Sequence, residues 1–336
     1  MTGLPRIDGD AVAEHHAVRE RAGLADLSAR ALWRVSGADR VKYLQGILTN
    51  DIAALSPGQG CYAALLDVKG HLQADLHVYA TDDALLIDLA PSIAEQTIAL
   101  LKRYIVIYKV KLEPLAGWLH LLLSGPKSDA WLSAVFGRPL PVLVDQQFVT
   151  WDWQGQPVML IRRSETGEAG VHLLAPPAIA NALRNALSES GRPFGARSIG
   201  AQALETLRIE AGVPSYESEM AGARFPAEVG IEQAISYTKG CYLGQETTMR
   251  IKTQGAVNRK LVGLFLEGAV LPEPGAPLFS EGQKIGQVTS AIESPTLKRR
   301  IALGYAQKGS FAPGTPLTLA DGSRALVAEL PFYRRA

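Results

Sequence analysis

One candidate for nucleophilic chemistry is a cysteine placed between glycines. The segment 239–246 reads Lys-Gly-Cys-Tyr-Leu-Gly-Gln-Glu, and glycine beside Cys241 lets the backbone turn tightly and leave the sulfur accessible. Lys239, Arg250 and Lys252 lie nearby in the sequence and would favour the thiolate over the thiol. A free cysteine is also common as a small buried apolar side chain, so a reactive role and a structural role both stay open.

A carboxylate near the end of a predicted helix is a second candidate. Ser198 is expected to cap this helix, which runs to Ala211 and is stopped by Gly212. Glu210 falls in the last turn, where the negative end of the helix dipole destabilises a carboxylate by about 0.3 to 1 kcal/mol. Glu210 is therefore expected either to pair with a cation such as Arg208 or to bind a ligand.

A third group of polar residues lies on a predicted β-hairpin. Residues 60–79 alternate with a period of two, broken by turn residues at 67–70. If the strands pair directly across that turn, Tyr62 lies opposite Asp75, and both side chains point to the same face. That face also carries Gln73, His77 and Tyr79.

Helices and antiparallel strands are needed to position these candidates, and the apolar pattern predicts both. Past Val257 the sequence changes to short apolar strands between Gly and Pro turns, which is typical of a small β-barrel. We therefore expect an α+β fold with two interleaved α+β units in residues 1–256 and a barrel in residues 257–336. The predicted helices cover 11–30, 39–48, 91–103, 128–136 and 177–190; the further strands cover 31–35, 85–89, 106–112, 118–123, 148–162 and 170–174.

The composition argues against several classes of protein. Lys and Arg number 34 against 33 Asp and Glu, so no net charge favours binding to nucleic acid or to an anionic membrane. No apolar run approaches the ~20 residues of a membrane helix, and the N-terminal residues show no apolar signal segment, so a cytoplasmic location is expected. Neither Cys61, Cys241 nor the six histidines have metal-ligand spacing, so no permanently bound metal is expected.

Several segments together resemble the GcvT/YgfZ family of folate-binding proteins over nearly the whole chain. The motif at 239–246 is similar to the YgfZ branch, whose members are linked to iron-sulfur proteins, and it comprises Lys239, Gly240, Cys241, Tyr242, Gly244, Gln245 and Glu246 with Leu243. The other matching segments are Tyr-Leu-Gln-Gly-Ile-Leu-Thr-Asn-Asp at 43–51, Gly-Cys-Tyr at 60–62, Asp-Val-Lys-Gly at 67–70, Leu-Arg-Ile-Glu-Ala-Gly at 207–212 and Gly-Gln-Val-Thr-Ser at 286–290.

The resemblance implies a ring-like GcvT fold closed by a C-terminal β-barrel, with tetrahydrofolate in its central opening. By the same resemblance, Asp75 matches the acid that works beside the folate amine in the aminomethyltransferases, and Glu210 matches the carboxylate that holds the pterin. A carboxylate suits that second role because it can accept from two pterin N–H groups at once. Tyr62 is expected beside the ring, and Arg250 is expected to receive the glutamate tail.

One residue departs from the aminomethyltransferase pattern. Those enzymes usually carry two adjacent acids after the hairpin turn, whereas this chain has Ala74 before Asp75. Retention of the catalytic acid is therefore an open question at the level of the sequence.

Three functions compete at this stage. The leading interpretation is a tetrahydrofolate-binding helper in the assembly or repair of iron-sulfur proteins, with Cys241 as its working thiol, iron-sulfur proteins as partners and no ordinary turnover. A lone thiolate cannot hold a cluster that normally takes four ligands, so a second chain or glutathione would be required. The alternative is a folate-dependent aminomethyltransferase with Asp75 at the reacting nitrogen. The third is an interaction scaffold with a vestigial folate pocket.

Overall fold

The computed structural model describes residues 10–255, 257–268 and 270–335. The predicted absence of a signal segment rests partly on residues 1–9, which lie outside that range, as does residue 256 at the predicted domain boundary. None of the helices in the described ranges has the length and apolar character needed to cross a membrane.

Eight α-helices and seventeen strands are found in the described residues. The helices are α1 Ala11–Glu20, α2 Arg40–Ile47, α3 Pro91–Tyr104, α4 Ser128–Phe136, α5 Ala180–Ser190, α6 Ala201–Glu210, α7 Pro226–Val229 and α8 Gln245–Gln254. The strands are β1 Gly23–Asp26, β2 Ala31–Ser36, β3 Gln59–Leu66, β4 Leu72–Ala80, β5 Leu85–Leu89, β6 Lys111–Pro114, β7 Leu119–Ser124, β8 Phe148–Trp153, β9 Gln156–Arg162, β10 Gly170–Ala175, β11 Arg197–Ile199, β12 Arg259–Leu266, β13 Pro277–Ser280, β14 Gln283–Ser294, β15 Arg299–Gln307, β16 Pro316–Leu319 and β17 Arg324–Ala328.

Two sheets and a closed barrel organise these strands. An antiparallel sheet has the order β3-β4-β5-β2-β6, and a six-stranded sheet has the order β11-β1-β7-β10-β9-β8 with only β1 and β11 parallel. Because β1 precedes the first sheet in the chain and β7 follows it, the two units are interleaved. The closed barrel has the order β12-β15-β14-β13-β16-β17. The predicted α+β fold with a C-terminal β-barrel is confirmed.

Burial explains why these segments fold as they do. In β4 the side chains alternate, so that Leu72, Ala74, Leu76 and Val78 are at most 1 % exposed, while the residues between them face the other way. Ala74, Leu76 and Val78 pack with Leu44 and Leu101 of α2 and α3 in one core, whereas Leu72 packs in a second core with residues of the barrel. The opposite face of β4 is left to polar side chains, as the alternation predicts.

Several predicted bounds were wrong. The helix predicted at 11–30 ends at Glu20, and a strand begins at Gly23, where a Cβ atom would lie 2.5 Å from Val18. The strand predicted at 106–112 begins only at Lys111. Ser198 lies in β11 and does not cap α6; Gly200 precedes that helix and donates its N–H to Glu14 Oε2 at 2.8 Å.

The hairpin forms where predicted, but its register differs. Asp67 closes the turn by pairing its N–H with the carbonyl of His71 at 2.9 Å, and a bulge follows at Leu65. Together these move Asp75 opposite Ala64, and Tyr62 opposite His77. The predicted direct pairing of Tyr62 with Asp75 is therefore wrong, although both side chains keep the same face as diagonal neighbours.

Candidate functional site

A cavity of about 510 Å³ lies between the two sheets, α6 and the segment 213–217. Its volume is in the range of small-molecule binding sites. The cavity brings Tyr62, Asp75 and His77 of the hairpin together with charged residues that are distant in the sequence. These are Arg30, Asp145, Arg163, Glu165, Glu205, Arg208 and Glu217.

Asp75 and Tyr62 form a hydrogen-bonded pair on the cavity wall. The Tyr62 hydroxyl donates to Asp75 Oδ2 at 2.9 Å. Burial raises the pKa of Asp75, although the Tyr62 hydrogen bond and the charge of Arg30 act in the opposite direction. Burial, followed by the charge of Asp75, raises the pKa of Tyr62 well above its ordinary value, so its hydroxyl keeps its proton and acts as a donor. The pKa of the Asp75 carboxyl therefore lies above that of a solvated aspartate.

His77 completes an aromatic wall beside that pair. Its ring stacks on Tyr62 with 4.9 Å between the ring centroids, and its Nδ1 lies 2.9 Å from Oε1 of Gln146. Burial lowers the pKa of His77 well below its ordinary value, so the imidazole is neutral. The wall is therefore uncharged, and the His77 ring lies between the rings of Tyr62 and Tyr79, with 6.3 Å between the His77 and Tyr79 centroids.

The side chain at position 74 faces away from the cavity. Ala74 is 0 % exposed and packs in the apolar core between the first sheet and its helices. A second acid at this position would be buried among apolar side chains. The departure at Ala74 therefore removes no group from the cavity.

A buried carboxylate holds two arginines at the cavity floor. Asp88 is 1 % exposed and accepts from Arg30 Nε at 2.6 Å and from Arg163 Nη1 at 2.7 Å. Burial alone would raise the pKa of Asp88, but the charges of Arg30 and Arg163 outweigh it and hold the pKa well below its ordinary value. Sequence reasoning missed these three residues. The available signal was an acid inside the otherwise apolar strand β5.

The cavity carboxylate supplied by α6 is Glu205, not Glu210. Glu205 lines the cavity and binds Arg208, accepting at Oε2 from its Nε at 2.8 Å. It lies five residues, or about 1.4 helical turns, before Glu210 and on the side of α6 that borders the cavity. Sequence reasoning also missed Glu205.

Glu210 lies instead in a network that joins the N-terminal helix to the barrel. Its side chain is 0 % exposed, and Oε2 accepts from Arg19 Nη2 at 2.6 Å and lies 2.8 Å from His15 Nε2. Ser294 and Thr296 donate to the two carboxylate oxygens. Burial acts to raise the pKa of Glu210, but hydrogen bonds from His15, Ser294 and Arg19 outweigh it and lower the pKa to about 2. The predicted contact of Glu210 with a pterin is therefore corrected to a structural role.

The 239–246 motif lies outside the cavity. Cys241 is exposed, and Arg250 is also exposed and pairs with Glu246 at 2.8 Å. Neither Cys241 nor Arg250 is among the described residues that line the cavity, so the predicted roles of a working thiol and a tail-binding arginine receive no support from their positions.

Two residues of the motif have structural contacts that explain their types. Lys239 Nζ donates to the backbone carbonyls of Gln45, Leu48 and Asn50 at 2.6, 2.7 and 2.8 Å. Gly244 has a φ of +79°, and a Cβ atom there would lie 2.5 Å from the carbonyl oxygen of Asp67. The motif therefore supports the end of α2 and the turn of the hairpin that carries Tyr62 and Asp75.

Replacement of Lys239 tests this structural role. Lys239→Met removes the donor of three carbonyls, of which that of Leu48 is buried and the other two are partly buried, and we expect a loss of about 2 to 4 kcal/mol in the free energy of unfolding. Urea unfolding monitored by circular dichroism measures this change in the free energy of unfolding. Lys260→Met, which replaces an exposed lysine, is the matched control. Equal unfolding midpoints for the two variants would contradict the assigned role.

Comparison with known proteins decides the family. Residues 6–239 match the model of the GCVT N-terminal domain, and residues 259–334 match that of the glycine cleavage T-protein C-terminal barrel domain. The chain belongs to the GCVT family. As a GCVT-family protein it is 33% identical to an aminomethyltransferase of Halalkalibacterium halodurans over 96% of this chain and 89% of that protein. A Streptomyces avermitilis aminomethyltransferase is 33% identical over 99% of this chain and 92% of its own length.

A solved structure gives the same indication for the fold. The glycine cleavage system aminomethyltransferase T from Bartonella henselae superimposes with a TM-score of 0.88 at 26% sequence identity. The match covers 96% of this chain and 89% of the Bartonella chain. The GCVT fold thus extends over both sheets and the barrel.

These findings contradict the leading interpretation of the sequence. The near-full-length relatives are aminomethyltransferases, so an iron-sulfur helper of the YgfZ branch with iron-sulfur proteins as partners is not supported. That interpretation gave most weight to the motif around Cys241. Since Lys239 and Gly244 are explained by packing, the motif does not require chemistry at its thiol.

Proposed function

We propose that this protein transfers a one-carbon unit from an aminomethyl donor to tetrahydrofolate, so that the methylene carbon bonds to folate nitrogen while the amino group leaves as ammonia and the donor is released. The observation that carries the proposal is the 33% identity to an aminomethyltransferase over 96% of the chain. The cavity supports it, because it places the Asp75 carboxyl beside an aromatic wall within a volume suited to a small ligand.

Some of the cavity residues bind the pterin, and one of them transfers a proton. The aromatic wall of Tyr62 and His77 contacts the pterin, and the Asp75 carboxylate accepts from an N–H group of the folate. When the folate nitrogen bonds to the one-carbon unit it loses a proton, and Asp75 accepts this proton or stabilises the positive charge on the nitrogen. Tyr62 keeps the Asp75 carboxyl in place through its hydrogen bond.

A direct assay tests the proposal. The purified protein is supplied with tetrahydrofolate and with the one-carbon donor that the Halalkalibacterium halodurans aminomethyltransferase accepts, and methylenetetrahydrofolate is measured. We expect turnover that requires both compounds. No tetrahydrofolate binding and no product under conditions in which the relative is active would overturn the proposal.

Cys241 is expected to be dispensable for this activity. Cys241 lies outside the cavity and is exposed, so Cys241→Ala removes no group that contacts the substrate. We expect kcat/KM within about twofold of the wild type, since surface substitutions away from a site have small effects. A decrease of tenfold or more in kcat/KM, in a variant that folds like the wild type, would show that the thiol takes part in the reaction.

A further inference from the structure

Three arginines line the cavity, and in two of them the protein itself accepts hydrogen bonds from every guanidinium nitrogen. Arg163 donates from Nη1 to Tyr79 and Asp88, from Nη2 to Glu165, and from Nε to His172. All three guanidinium nitrogens of Arg163 are thus engaged by the protein, and its side chain is 3 % exposed.

Arg208 is occupied in the same way. Its Nε and Nη2 donate to Glu205, and its Nη1 donates to the carbonyl of Val213 at 2.6 Å and to Glu219 at 3.1 Å. Neither Arg163 nor Arg208 is free to bind a ligand without losing contacts to the protein.

Arg30 differs from both. Only its Nε is engaged, by Asp88 at 2.6 Å, and its two terminal nitrogens make no side-chain hydrogen bond to any residue that the structure describes. The side chain is 19% exposed and lines the cavity. Both terminal nitrogens have solvent contact, since the buried donors without a partner in the described residues do not include them. They are therefore free to donate to an acceptor that a ligand brings into the cavity.

The backbone around Arg30 is fixed, so these donors are preorganised. Arg30 ends the turn between β1 and β2, where its N–H donates to the carbonyl of Leu27 at 2.8 Å. Ser28 in the same turn accepts from the His120 N–H at 3.1 Å. Asp88 fixes the guanidinium through Nε, so the terminal nitrogens are held in place before a ligand arrives.

Arg30 also acts on the same region of the cavity as Asp75. Arg30 binds Asp88, which lies directly opposite His77 in the sheet. His77 is two residues from Asp75 on the same strand face, so Arg30 and Asp75 line the same part of the cavity. The other groups around Asp75 are Tyr62, which donates to it, His77 on the same strand face, and Tyr216 and Glu217 from the segment across the cavity. The cavity thus offers an acceptor at Asp75 and unused cationic donors at Arg30.

We propose that Arg30 is a specificity-determining residue that donates its terminal N–H groups to the ring carbonyl of a reduced 4-oxopterin. The proposal rests on the proposed function. In such a ring the carbonyl lies between two ring N–H groups, so donors and an acceptor alternate along one edge. Asp75 accepts from an N–H group while Arg30 donates to the neighbouring carbonyl, and a charge-assisted bond of this kind discriminates strongly.

The test compares two ligands that differ at this carbonyl. Tetrahydrofolate and its 4-amino-4-deoxy analogue, in which an amino group replaces the carbonyl oxygen, are titrated calorimetrically into the wild type without oxygen. We expect the wild type to bind tetrahydrofolate about 10- to 100-fold more tightly, because the amino group presents donors to the Arg30 donors. Arg30→Met should lose about 10- to 100-fold in tetrahydrofolate affinity and most of the preference.

Two further variants make the result decisive. Arg34→Met, at a partly exposed arginine of β2 that pairs with Asp83, should keep the wild-type affinities. Arg30→Lys keeps the charge without the forked donors and should retain only part of the preference for tetrahydrofolate. This variant tests the inference even if Arg30→Met does not fold. If the wild type binds tetrahydrofolate and the Arg30 variants keep the full preference, this inference is wrong. If the wild type binds neither compound, the proposed function fails instead.

Discussion

Asp75→Asn is expected to lower the turnover of one-carbon transfer by about 100- to 10,000-fold, the range usual for loss of a group that transfers protons. Asparagine keeps the size of the side chain and can still contact Tyr62, but it neither holds a negative charge nor exchanges a proton. Tetrahydrofolate affinity should change much less than kcat, because the aromatic wall of Tyr62 and His77 is intact. Steady-state kinetics combined with calorimetric titration separates the two effects.

A nearby aspartate provides the matched control. Asp82 is exposed in the loop after β4, and Asp82→Asn should keep wild-type kinetics. Activity of Asp75→Asn within threefold of this control would exclude Asp75 from the reaction.

The pH dependence of turnover gives a second measurement on Asp75. Burial raises the pKa of this carboxyl. If ionised Asp75 is the active form, kcat rises with pH through a pKa above that of a solvated aspartate. In the Asp75→Asn variant, kcat should no longer rise with pH over this range. If the same rise is still observed, the group that titrates is not Asp75.

The side-chain alternation of the hairpin could be read from the sequence because it depends only on local geometry. A strand with apolar residues at every second position has to turn Asp75 and His77 to the opposite face from Leu76. The register was less predictable, since a turn closed at Asp67 and a bulge at Leu65 shifted every pair without altering the alternation.

The partners of charged residues could not be read from the sequence. The helix dipole correctly indicated that Glu210 needs a partner, but its partners Arg19 and His15 are separated from it by 191 and 195 residues. Lys239 similarly lies 191 residues from Leu48, whose carbonyl it binds. Local patterns show that a charge is costly, and only the tertiary structure shows whether the protein or a ligand compensates it.

Loss of the Glu210 carboxylate is expected to have the largest effect on stability. Glu210→Ala leaves Arg19 and His15 buried without their shared acceptor, and breaking a buried ion pair on one side typically destabilises by about 3 to 5 kcal/mol. Guanidinium unfolding followed by tryptophan fluorescence measures the change in the free energy of unfolding. Glu189→Ala is the control, because Glu189 also occupies the last turn of a helix, α5, but is exposed. Equal losses in the two variants would show that Glu210 is not a structural anchor.

The same residue predicts how stability depends on pH. The pKa of Glu210 is about 2 in the folded protein against an ordinary value of 4.5, because its hydrogen bonds outweigh burial. A lowered folded-state pKa stabilises the fold fully above the unfolded-state pKa, and the contribution, about 3 kcal/mol, is lost as pH falls from about 4.5 to 2. Glu210→Gln keeps the shape but cannot ionise, so its stability should fall less steeply than that of the wild type over this range. Parallel curves for the two proteins would show that the carboxylate charge of Glu210 does not stabilise the fold, and the ion pairs that join α1 to α6 would then contribute by packing alone.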